Sequence, residues 1–149
     1  MNVLFLCYAN IGRSQIAESF FHLHSSRHRA SSAGLKDGIL NGTSLHPLIY
    51  QTMEPLGLYL RNHTQKQVTP EMIEKSRLVI SLADEEQLQT QSERARLEPA
   101  REKLVFWPVT DPKGKDLEFH CRVRDEIHDY VQHLVEELDI VYLPPDTNV

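Results

Sequence analysis

Cys7, Arg13 and Ser14 lie within one short stretch, CYANIGRS (residues 7–14), which follows the apolar run VLFL and leads into QIAESFF. A cysteine sulfur is a strong nucleophile once it carries negative charge, and arginine presents a planar, permanently charged fork matched to two oxygens of a tetrahedral oxyanion. The five residues between them, Tyr8, Ala9, Asn10, Ile11 and Gly12, give the chain enough length to curl around such an anion with their backbone N–H groups. Gly12 permits a close or left-handed backbone, and Asn10 tolerates the left-handed region. Ser14 can donate a hydrogen bond to the sulfur and so favour its charged form. The stretch can therefore hold a tetrahedral oxyanion over a nucleophilic sulfur.

That chemistry requires a strand before the loop and a helix after it, because a helix start offers unpaired N–H groups and the positive end of its dipole. The same field favours negative charge on Cys7. VLFLC (residues 3–7) is apolar and of strand length, and SQIAESFFHLH places Ile16, Phe20 and Leu23 at helical spacing. A cysteine at a strand end is often a small buried hydrophobe, and the Cys/Arg pair alone recurs by chance. The adjacent serine, the strand and the helix are separate requirements, and together they favour the phosphate cradle.

The rest of the chain alternates in the same way. RASSAG supplies a second strand, RLVISLA (77–83) a third and KLVFW (103–107) a fourth. HPLIYQTMEPLG and TPEMIEKS read as short helices, with Pro47 and Pro70 in the first turns and Gly57 as a stop. DEEQLQTQSERARLE reads as helical, and LEFHCRVRDEIHDYVQHLVEEL places Phe119, Val123, Ile127, Val131, Leu134 and Leu138 on one face. Strands separated by helices imply parallel pairing, hence an α/β fold: a three-layer α/β/α sandwich with a central parallel sheet of about four strands and the phosphate loop between the first strand and first helix. Ligands in such sheets bind at the carboxyl ends of the strands, where the CYANIGRS loop lies.

Composition bounds the function. A chain of 149 residues with 40% hydrophobic content suits a single domain, residues 1–149, with a tail of about 140–149 expected to fray. Sixteen Lys and Arg against 21 Asp and Glu leave a formal net charge of −5, which offers no general attraction to nucleic acid or an anionic membrane. No apolar run has the length of a membrane span, and MNVLFLC lacks the features of a signal peptide, so a cytoplasmic location is expected. Two cysteines without metal-ligand spacing fit a reducing compartment and argue against a structural zinc site; no metal or other cofactor is expected.

The stretch VLFLCYANIGRSQIAESFF resembles the active-site loop of the low-molecular-weight protein tyrosine phosphatases and of the arsenate reductases that share their fold. SSAG (31–34), residues 62–87 and WPVTDPKGKDLEFHCRVRDEI (107–127) are similar to later landmarks of that family in the same order. The resemblance implies a metal-free, two-step hydrolysis in which Cys7 attacks phosphorus, Arg13 and the loop amides hold the equatorial oxygens, and Asp111 acts as general acid and then base. It makes Tyr8, Ala9, Asn10, Ile11, Gly12 and Ser14 the substrate-binding set. Without it, Asp111–Pro112 reads as an ordinary turn that happens to follow the fourth strand. Asn10 and Ser32 resemble a family pair that shapes the loop, and His63 resembles a family position, although most single histidines are surface residues. Asp84 reads as a helix N-cap, SERARLEPAREK as a solvated face and Cys121 as a packing residue.

Departures from the family shape the substrate reading. Gly12 stands where many of its phosphatases carry a second, protective cysteine, and VISLADEEQ has none of the extra cysteines used by thioredoxin-coupled arsenate reductases. Lys113 and Lys115 stand where phosphotyrosine-stacking aromatics are found, and Ile11 points away from phosphoarginine. The leading expectation is a phosphatase acting on a phosphorylated protein or a small aryl phosphate. The alternatives are an arsenate reductase using an external thiol or redoxin partner, and a non-catalytic oxyanion-binding module.

Overall fold

In the computed structural model, which describes residues 1–141, four parallel strands form one sheet in the order β2-β1-β3-β4. The strands are β1 (Asn2–Cys7), β2 (Arg29–Gly34), β3 (Leu78–Ser81) and β4 (Leu104–Phe106). The helices are α1 (Arg13–His24), α2 (Pro47–Met53), α3 (Pro70–Lys75), α4 (Gln91–Leu97) and α5 (Leu117–Val141). This is the expected three-layer α/β sandwich.

β1 is central and buried on both faces. Val3, Phe5 and Cys7 face one core, shared with Ile16, Phe20 and Phe21 of α1 and with Val123, Ile127 and Val131 of α5. Leu4 and Leu6 face a second core, closed by Ile73 of α3, Leu97 of α4 and Ala100. That double burial is why VLFL reads as an unbroken apolar run rather than an alternating one. From β1 the chain crosses to β2 on one side, then returns past β1 to β3 on the other. The loops after β1 and β3 thus diverge and open a crevice at the carboxyl end of β1.

Several local expectations are corrected. Leu23 is 55% exposed, because the buried stripe of α1 runs through Ile16, Ala17, Phe20 and Phe21 and leaves Leu23 at its margin in the last turn. The segment after β3 is not one helix: a 3-10 turn, Glu85–Gln87, capped by Asp84, stops at Leu88, and α4 starts at Gln91 behind a Thr90 capping box. Phe119 packs against the same core as the rest of the α5 stripe, half-buried at its first turn. Ile140 and Val141 belong to α5, so the helix runs into the stretch expected to fray; the rest of that stretch lies outside the described residues. No helix among the described residues is long and apolar enough to cross a membrane.

Candidate active site

Cys7 ends β1 with 3% exposure, and its Sγ lies 2.9 Å from Ser14 Oγ and 3.3 Å from the backbone N–H of Asn10. Asn10 Nδ2 donates to Ser14 Oγ (2.8 Å) and to Ser32 Oγ (3.1 Å). With its oxygen accepting from Asn10, the single Ser14 proton is left to donate to the sulfur. Two N–H or O–H groups thus converge on Sγ, an arrangement that stabilises negative charge there.

The loop's left-handed residue is Asn10, at φ 60°. Gly12 instead has φ −147°, and its contribution is close approach: a Cβ there would meet Ile49 Cδ1 at 3.2 Å. Asn10 is held in its strained conformation by bonds from every side, its Oδ1 accepting from Lys66 N and from Gln15 Nε2, both at 3.0 Å. Gln15 is fully buried and ties Asn10 to Thr64 O and to His63 Nδ1. His63 is therefore a half-buried part of this scaffold and not a plain surface histidine. Behind the loop, a Cβ on Gly34 would fall 2.9 Å from Tyr8 O and from Ala9 C, so the end of β2 presses on the loop's backbone.

The side chain of Tyr8 points away from the pocket, with its hydroxyl donating to the Glu93 carboxylate at 3.0 Å. Glu93 is 2% exposed, which corrects the reading of residues 92–103 as wholly solvated. It also accepts from Asp37 N (2.8 Å) and Gln89 N (2.7 Å), and these hydrogen bonds outweigh burial to hold its carboxyl below the usual range. Sequence gave no sign of Glu93 or Gln15, since each is a polar residue in a helix and its burial depends on distant segments.

Arg13 opens α1 and is 4% exposed. Its Nη1 donates to Leu82 O (2.6 Å) and Val109 O (3.1 Å), and its Nη2 donates to Gln87 Oε1 (3.0 Å). A guanidinium has five N–H donors. With three so engaged, the Nε–H and one Nη2–H remain as a side-on fork for two oxygens of one anion. Asp111 is 37% exposed, with Oδ2 3.5 Å from Arg13 Nη2 and 2.8 Å from Gln87 Nε2. Its Oδ1 accepts from Lys113 N, an Asx turn at the start of the Asp111–Lys115 segment.

Cys7, Arg13 and Asp111 line one pocket of ≈ 290 Å³, walled by Leu48 and Ile49 of α2 on one side and by Pro112 on the other. His120 of α5 also lines it and is 7% exposed. Burial, with His46 nearby, lowers the pKa of His120 below the ordinary value. Ala9, Ile11 and Gly12 reach the pocket, whereas Tyr8, Asn10 and Ser14 do not line it and bear on it through the loop. Cys121 is half-buried on α5, outside this lining, with Arg124 Nη1 3.6 Å from its sulfur.

The family model described as low molecular weight phosphotyrosine protein phosphatase matches residues 2–141. The chain belongs to that family. Among curated relatives it is 28% identical over 137 residues to arsenate reductase 1 of Staphylococcus haemolyticus, covering 91% of this chain and 96% of that protein. An arsenate reductase of Staphylococcus aureus is 29% identical over 126 residues, covering 84% and 88%. Among solved structures, the YwlE arginine phosphatase from Geobacillus stearothermophilus superposes with TM-score 0.83 at 19% identity, over 99% of both chains. Vibrio vulnificus Wzb in complex with benzylphosphonate gives 0.81 at 18% identity, over 92% of this chain and 98% of that one. At such identities these structures speak for the fold, and the family match supports phosphatase-type function.

Proposed function

We propose that the protein is a phosphomonoester phosphatase working through a phosphocysteine on Cys7. The observation that carries this reading is the convergence on one pocket of a sulfur with two hydrogen-bond donors, an arginine with an open two-donor fork, and a carboxyl group. In the first step the Cys7 sulfur forms an S–P bond as the P–O bond to the leaving group breaks. Asp111 gives its proton to the departing oxygen. In the second step Asp111 takes a proton from water as that water attacks phosphorus, the S–P bond breaks, and inorganic phosphate leaves. Arg13 and the N–H groups of Tyr8 to Ser14 hold the equatorial oxygens while charge moves through the transition state.

The apolar walls, Ile11, Leu48, Ile49 and Pro112, form a slot suited to an aryl group next to the phosphoryl. A phosphorylated protein or a small aryl phosphate is the corresponding substrate, met in a reducing compartment such as the cytoplasm, where the thiol persists. A second reading, arsenate reduction, is favoured by the names of the Staphylococcus relatives. With Cys121 outside the pocket lining, that reaction requires an external thiol or a redoxin to attack the arseno-cysteine.

Parallel assay of the purified protein with an aryl phosphate and with arsenate separates the readings. The phosphatase turns over the ester with no thiol beyond that keeping Cys7 reduced; a reductase consumes arsenate only with added thiol or redoxin. Phosphate protection of Cys7 from alkylation with turnover of neither substrate assigns a binding module instead.

A further inference from the structure

We propose that Gln87 is a positioning residue that couples the oxyanion-binding Arg13 to the general acid Asp111, an inference that rests on the hydrolytic reading above. Gln87 ends the 3-10 turn Glu85–Gln87, and its backbone N–H is fixed by Asp84 Oδ1 at 3.0 Å. Its half-buried side chain lies between the two functional groups. Oε1 accepts from Arg13 Nη2 at 3.0 Å, and Nε2 donates to Asp111 Oδ2 at 2.8 Å.

The orientation of this amide follows from its neighbours. A guanidinium can only donate and a carboxylate can only accept, so the oxygen must face Arg13 and the nitrogen must face Asp111. The position therefore calls for a side chain with both functions. Glutamate could accept from Arg13 but would set a second carboxylate against Asp111. An aliphatic side chain would serve neither.

The consequence concerns the separation of opposite charges. Arg13 Nη2 and Asp111 Oδ2 are 3.5 Å apart, longer than an ordinary charge-assisted hydrogen bond. By satisfying one donor of Arg13 and one lone pair of Asp111, the amide removes the incentive for the two to close into a direct pair. Closure would turn Asp111 from the leaving oxygen and draw Nη2–H from the fork that receives the phosphoryl group. The turn carrying Asp111 is pinned at other points, by Lys113 N on Oδ1 and by Lys115 N on the Pro112 carbonyl at 3.0 Å, so Gln87 governs the carboxylate's aim rather than the path of the backbone.

The test compares Gln87→Leu and the isosteric Gln87→Glu with the parent protein and with Asp111→Asn. Each is assayed with 4-nitrophenyl phosphate, a good leaving group, and phenyl phosphate, a poor one. Loss of acid alignment predicts that kcat/KM for phenyl phosphate falls about tenfold further than for 4-nitrophenyl phosphate in both variants. In the Asp111→Asn background this additional fall disappears, because the group being aimed is already gone. Equal slowing of both esters, no slowing, or an undiminished effect in the Asp111→Asn background overturns the role of Gln87 and leaves the hydrolytic reading standing. Absence of turnover of either ester by the parent protein overturns both.

Discussion

The Cys7–Ser14 loop and the Asp111–Lys115 turn face each other across one pocket, yet the first is cut from the core and the second lies at the surface. Cys7, Asn10, Arg13 and Ser14 are all under 5% exposed, and Asn10 alone bonds to Ser14, Ser32, Gln15 and Lys66. Asp111 is 37% exposed, and its carboxylate is held by Gln87 and by one amide of its own turn. An anion cradle gains from being rigid before the substrate arrives, since preorganised donors need no rearrangement as charge develops. A general acid needs only one atom in reach of the leaving oxygen, and a surface turn can present it. The difference predicts that lesions in the loop damage folding and catalysis together, whereas lesions in the turn damage catalysis alone.

Cys7→Ser carries the largest expected effect, because a serine hydroxyl without a base is a poor nucleophile. Turnover should fall by at least roughly 10³-fold while phosphate or vanadate still binds. Activity above a few per cent of the parent removes Cys7 from the nucleophile's place.

Asp111→Asn tests the other side of the comparison. Aryl phosphate turnover should drop by roughly 10²–10⁴-fold, most for poor leaving groups, with stability changed by no more than about 0.5 kcal/mol. An equal loss for all leaving groups, or a marked drop in melting temperature, breaks the contrast between turn and loop.

Asn10→Ala should show the coupling of folding and function on the loop side. It removes side-chain bonds at a fully buried position and puts alanine, which lacks asparagine's tolerance of left-handed backbone, at φ 60°, a loss of about 3 kcal/mol in stability together with most of the activity. A variant that melts like the parent shows the loop to be less dependent on the scaffold than its geometry implies.

The resemblance of CYANIGRS to a phosphate cradle is visible in the sequence because cradle chemistry is local: sulfur, fork, serine and the strand-to-helix frame are consecutive. The strands were legible for a related reason, since β1 and β3 are buried on both faces and read as apolar runs. What joins the site across the chain was not legible. Gln15, Gln87 and Glu93 are ordinary polar residues of helices or turns, and only the packing of distant segments gives them partners. Asp111 fell between these cases, its Asp-Pro pair being a common turn until the fold sets it opposite Cys7.

A smaller effect is expected with pH. Burial lowers the pKa of His28, His120 and His128, so each is favoured neutral in the folded chain while the unfolded chain takes up protons below the ordinary value of 6.5. The unfolded state then binds more protons, and stability present above that value is lost as the pH falls. Glu93, and Asp37 with its pKa lowered to about 2, act in the same direction further into acid. The melting temperature should therefore fall from pH 7 to 5 and fall again below about pH 4.5. A flat profile between pH 7 and 5 contradicts the preference of these three histidines for the neutral form in the folded chain.

The central claim, that Cys7 forms a covalent phosphoryl intermediate, is tested most directly by rapid acid quenching of the protein during turnover of an aryl phosphate, followed by peptide mass spectrometry. The account predicts a phosphoryl group on the peptide containing Cys7, absent from Cys7→Ser and abolished by prior alkylation of the thiol. Steady turnover with an unmodified Cys7 peptide at every quench time, or a phosphoryl group found on another residue, contradicts it.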